Sequence, residues 1–292
     1  MFLRVTHAIS RRQEFVADEL AARVAGSKSL ITGLQAIHSV APAFDTYWRN
    51  ECVPVLNSGY RPPLAEGFQR FVTAKPIVEA MNKHLEEELK GGQTDPYDTH
   101  PPLKERIAAV QALPPGEVDG EDPPAITLLE NVPALEQELI QDLAGPDAAG
   151  KLKPINWPDV CRQVYLPEWT SLVKSNLGGL KGMTPETLPR WAADRKSLEA
   201  RFVPVSGRNL AVATVGAALA LLLISKGGEP EAAPGSVVSV ALGSLKIEPF
   251  GVLQSLAEGK ITGETWQQRC VELGIEGVDL SNVVKPPEKS AA

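Results

Sequence analysis

Residues 210–224 (LAVATVGAALALLLI) run for fifteen positions without a charge, between Arg208 and Lys226. A helix with no polar face must be surrounded on every side. At 1.5 Å per residue the run spans roughly 22 Å, short of the ~30 Å hydrocarbon core of a bilayer. The expectation is therefore a buried central helix, with a membrane span as the alternative. A chain of 292 residues is long enough to build the surround, as one large core or two modest ones.

Elsewhere the apolar residues recur at helical spacing but are cut often, by 24 glycines and 25 prolines. Helical patterns cover 1–40, broken at Gly26-Ser27, then 64–71 after the turn Tyr60-Arg61-Pro62-Pro63, and 77–89, ended by Gly91-Gly92. The stretch Asp98-Thr99-His100-Pro101-Pro102 reads as a helix start, with Leu103, Ile107 and Val110 on one face behind it. Residues 125–143 read as one helical unit interrupted near Pro133, and Thr184-Pro185 opens a helix towards Arg201. Around Gly243-Ser244 the flanking residues 237–242 and 245–250 alternate with period two, a hairpin signal. Two short helices, each closed by a glycine, are expected near the C-terminus. The predicted fold class is mainly α-helical, with a small C-terminal α+β portion containing a β-hairpin.

Residues 114–124 (PPGEVDGEDPP) hold four acids, four prolines and no base, the composition of a linker. The expected organisation is 1–113, a linker at 114–124, a helical region at 125–202 and an α+β region at 203–292.

A formal charge of −7 argues against a phosphate-tracking surface, so nucleic acid is not an expected partner. Three widely spaced cysteines, Cys52, Cys161 and Cys270, provide neither a disulfide framework nor a paired metal or redox motif. No apolar stretch of signal-peptide length precedes Arg11-Arg12. A cytoplasmic setting is the expectation.

Two stretches carry chemistry. In RRQEFVADELAARVAG, Glu14 and Asp18 stand four apart, so on a helix both carboxylates leave one face among apolar neighbours. An acid pair so placed wants a cation or hydrogen-bond donors, and Arg11 and Arg12 would suffice if it is solvated. In THPPLKERI, a histidine held by prolines precedes a helix that carries Arg106, two cationic donors that could meet a developing oxyanion. By itself this reads as a capped surface turn.

Taken together, these stretches resemble the HtpX-like and CaaX-prenyl-protease-like zinc metallopeptidases, family forty-eight of the metallopeptidases, over about residues 1–113. The resemblance implies a zinc-dependent endopeptidase acting on protein or peptide substrates. Glu14 would be a zinc ligand, Asp18 would orient a ligand histidine from behind, and His100 and Arg106 would stand beside the catalytic centre. It also implies a cytoplasmic-side enzyme associated with membranes through helices near the catalytic motif. The sequence departs from the family at the H-E-x-x-H motif. Its four histidines, His7, His38, His84 and His100, include no pair four apart, so two zinc ligands and the general base are missing. His7 lies two turns, about 10 Å, from Glu14, and His38 and His84 read as structural or solvated. Two accounts fit. Either this is the downstream part of a peptidase whose upstream segment holds the motif and the one zinc ion, inactive by itself, or it is a non-catalytic helical interaction module or pseudopeptidase.

Overall fold

The computed structural model describes residues 2–91, 100–115, 123–145, 147, 150–204 and 209–284, the side chains of 2–5 and 144 excepted. Two compact units form, one from residues 1–57 with 63–152, the other from 58–62 with 153–292. The expected linker falls within the span of the first unit, and residues 116–122 of it lie outside the described residues.

In the first unit, α1 (Phe2–Ala25) and α2 (Ser27–Tyr47) are separated by Gly26, whose φ of 82° is a conformation that side chains resist. Helix α2 runs on through a π-helical turn, Trp48–Cys52, into α3 (Val53–Asn57). Then follow α4 (Leu64–Thr73), α5 (Lys75–Lys90), which stops at Gly91, and α6 (Leu103–Gln111). Pro101 and Pro102 precede α6; Asp98 and Thr99, the expected cap, lie outside the described residues. Helices α1, α5 and α6 pack on α2. Leu34, Leu103 and Ile107 are buried at that junction, with Leu30, Ile31, Leu85 and Leu89 against them. Near the C-terminal end of α2, the ring of Tyr47 meets those of Phe44, Phe68 and Phe71, and its hydroxyl donates to the Leu64 carbonyl at 2.8 Å. A buried phenol needs such a partner.

A 3-10 turn, Ala125–Leu128, and α7 (Val132–Ala144) occupy the stretch read as one interrupted helix. The break comes just before Pro133, because a proline in the first helical turn gives up only an N–H that has no partner there anyway. Asn131 caps α7 by accepting from the Ala134 N–H.

The second unit begins with a parallel pair, β1 (Tyr60–Arg61) with β2 (Lys153–Pro154). Helices α8 (Trp157–Val160) and α9 (Leu166–Ser175) are joined by a second π-helical turn, Cys161–Tyr165. Short helices α10 (Leu177–Leu180), α11 (Leu188–Ala193) and α12 (Arg195–Glu199) lead to α13 (Ala211–Ser225). This is the apolar run, and it is the buried centre of the unit: Ala217, Ala218, Leu219, Ala220 and Leu223 are wholly inaccessible. Among the described residues no helix is long and apolar enough to cross a membrane. Gly216 lets Phe250 approach so closely that a Cβ there would sit 2.6 Å from its ring.

After α13, strands β3 (Glu229–Glu231), β4 (Ser239–Leu242) and β5 (Leu245–Ile247) form an antiparallel sheet in the order β3-β4-β5. The hairpin has the expected two-residue turn: Leu242 faces Leu245 across Gly243-Ser244, with Gly243 at φ 62°. Its flanking strands are shorter than the alternation suggested. Helices α14 (Val252–Ala257) and α15 (Gly263–Glu272) complete the unit, and Trp266 donates to the Pro185 carbonyl at 2.7 Å. The three cysteines are free and buried.

Candidate active-site cluster

Helix α1 presents Glu14 and Asp18 one turn apart towards the start of α6. Two residues of that start answer them. Arg106 clasps Asp18 through two parallel bonds, Nε to Oδ2 at 2.8 Å and Nη2 to Oδ1 at 2.7 Å. Its third nitrogen, Nη1, lies 3.1 Å from Glu14 Oε2. The other Glu14 oxygen, Oε1, lies 3.1 Å from His100 Nδ1. Burial grades across the cluster: the side chain of Asp18 is 5% exposed, Arg106 14%, Glu14 27% and His100 65%. The hydrogen bonds from Asp18, and the charges of Asp18 and Glu14, hold the Arg106 guanidinium above its ordinary pKa against the opposing effect of burial. It is a permanent cation, and a bidentate guanidinium–carboxylate pair fixes direction as well as charge.

The cations that meet the acid pair thus come from a helix more than 80 residues away, where the sequence offered Arg11 and Arg12. The four residues singled out in the sequence stand together. Asp18 serves Arg106 here, a different partner from the ligand histidine the resemblance implies.

Beside the cluster lies a groove of about 690 Å³, lined in part by His38, His84, Glu87, Glu88, His100 and Arg106. His38 Nδ1 is 3.2 Å from Glu88 Oε2. The sequence gave His38 and His84 no place in a site, because only the packing of α2, α5 and α6 brings them to one wall. The spacing of His84 and Glu88, four apart on α5, was the one local hint.

A catalytic zinc takes three protein ligands and keeps a fourth position for water. Both Glu14 oxygens already face cationic or donor groups. Among the described residues no group of three His, Cys, Asp or Glu side chains is placed to hold a metal. The donors present in this chain do not by themselves fit a zinc ion.

Residues 2–113 match the profile of peptidase family M48. That match contains all four residues of the cluster and the whole groove, and it ends before the stretch that leads to α7. No curated protein and no solved structure shows significant similarity to the chain.

Proposed function

We propose, from the premise that residues 2–113 are a segment of peptidase family M48, that this chain provides the downstream part of a metallopeptidase centre for peptide-bond hydrolysis, of the HtpX-like or CaaX-protease-like kind. The observation that carries this reading is the convergence of Glu14, Asp18, His100 and Arg106 from two distant stretches inside the matched segment. The histidine pair and base of H-E-x-x-H, with the zinc they would bind, belong to a polypeptide segment outside these 292 residues. That segment also accounts for any membrane association, and the chain works on the cytoplasmic side.

Within the chain the roles divide by burial. Arg106, held at three nitrogens, is a positioning residue that locks Asp18 and orients Glu14. His100, the most exposed member, lines the groove and is the group placed to donate to a peptide carbonyl oxygen as it gains charge. The groove would hold the substrate on either side of the scissile bond.

One observation favours a second reading, a non-catalytic interaction module. Glu14 and Asp18 are charge-matched inside the chain and need no metal to be stable. The two readings separate in one experiment. The purified chain is assayed for bound zinc by elemental analysis and for casein cleavage, alone and fused to whatever in-frame segment precedes it in the genome. The peptidase reading expects neither property from the chain alone. It expects one zinc per molecule and casein cleavage from a fusion that carries H-E-x-x-H, both lost on Glu14→Gln. A preceding stop codon with no such motif would support the interaction module, and zinc-dependent cleavage by the chain alone would overturn the assignment of the missing ligands.

A further inference from the structure

We infer that the exposed face of α7 is a docking surface for a Lys/Arg-rich amphipathic helix of a partner protein. The surface lies beyond the segment that matches the peptidase family and is independent of the reading given above.

Helix α7 is firmly attached to its own unit along one side only. Ile140 is buried, Glu136 Oε1 accepts from the Ala65 N–H at 2.6 Å, and Asn131 caps the first turn. Leu135, Leu139 and Leu143, spaced by four and therefore on one face, are all exposed, Leu143 to 62%. Just before the helix, Ile126, Leu128 and Leu129 are exposed as well. Six large apolar side chains within eighteen residues thus remain in water on a preformed element. Scattered exposed leucines are ordinary, whereas a run of this kind marks an interaction surface.

Charge decides what covers it. Between Arg106 and Lys151 the chain holds nine acids and no Lys, Arg or His. Glu138 and Asp142 each follow a stripe leucine by three residues, so they border the stripe along one flank. An anionic bilayer or a nucleic acid would be repelled. A second copy of the chain would set acidic stretch against acidic stretch. A helix with apolar residues on one face and Lys or Arg beside them satisfies both features, seating its apolar side chains among the leucines and its cations on Glu138 and Asp142. The charges would contribute association rate and specificity, and the leucines most of the residence time.

The test uses the full chain and a fluorescein-labelled fourteen-residue peptide of leucine and lysine arranged as an amphipathic helix, followed by fluorescence anisotropy. Binding at micromolar concentration is expected, with affinity falling as salt rises. A peptide of the same composition in scrambled order should bind at least tenfold more weakly. Leu139→Ser with Leu143→Ser should weaken binding tenfold or more, and Glu138→Gln with Asp142→Asn should flatten its salt dependence. These positions are exposed, and unchanged circular dichroism would verify that the variants are folded. Equal binding of the scrambled peptide, or unchanged binding by the leucine variants, would overturn the proposal. So would a chain dimer that the leucine variants dissociate, or capture on phosphatidylserine vesicles that depends on the same leucines.

Discussion

Asp18 and Arg106 are 88 residues apart in sequence and joined by two bonds of 2.7 and 2.8 Å in a nearly dry position between α1 and α6. The pair ties the first long helix to the element that carries the His-Pro-Pro stretch. Removing one partner leaves the other charged and desolvated, which in buried pairs costs about 3 kcal/mol. Asp18→Ala and Arg106→Ala should each lower the stability of the first unit by roughly that amount, read as a shifted urea midpoint by circular dichroism. The double variant should be less destabilised than the sum of the two. Simple additivity would show that the pair contributes little.

His100 provides the contrast. It touches the same Glu14 but is 65% exposed, and exposed ion pairs are worth about 0–1 kcal/mol. His100→Ala should move the urea midpoint scarcely at all. A shift as large as that of Arg106→Ala would mean that His100 is a structural anchor and not a group held ready for substrate.

Gly216 sits in the middle of α13, where alanine would ordinarily gain about 1 kcal/mol in helix propensity. Here its Cβ would come within 2.6 Å of the Phe250 ring and 2.9 Å of the Phe250 Cα. Backbone must move to relieve such a contact, and overpacking of this sort costs about 1–3 kcal/mol. Gly216→Ala should therefore destabilise the second unit, and pairing it with Phe250→Leu should recover part of the loss. A more stable single variant would show that the contact relaxes freely.

Burial pushes the thiols of Cys52 and Cys270 up to about 12 and that of Cys161 to about 11. A thiol whose pKa is raised by folding contributes its full share of stability below the unfolded value, about 8.5, and loses it as pH climbs towards the folded value. Stability should thus decline between about pH 9 and 12. At pH 8 iodoacetamide should leave all three cysteines untouched in the native chain and label three in denaturant, as read by intact mass. Rapid native labelling of any one would place that thiol at the surface.

What was legible in the sequence was local. The glycine break between α1 and α2, the two-residue hairpin turn and the central apolar helix each follow from residues within one element. Glu14 and Asp18 declared themselves by spacing, and His100 and Arg106 by the prolines ahead of them. The bidentate clasp between the two stretches was not readable, because Asp18 and Arg106 meet only when α1 and α6 pack on a common third helix. The histidine-lined groove is hidden for the same reason. Strand β3, with the sequence Glu-Pro-Glu, carries no alternation at all and exists only because β4 offers it an edge.

The π-helical turns were equally silent, since Tyr47, Val53, Val160 and Leu166, which flank them, keep ordinary right-handed helical dihedrals. Each turn carries one more residue than a regular helix would, and each holds a buried cysteine. An extra residue rotates everything after it by about 100° about the helix axis. Val55, after the first turn, and Trp169 and Val173, after the second, owe their inward aim to that rotation. Deleting a single residue from either turn would straighten the hydrogen-bond ladder and at the same time swing these side chains out of phase with their cores. The two positions act as angular gears, where a deletion that looks conservative should be worse tolerated than most substitutions.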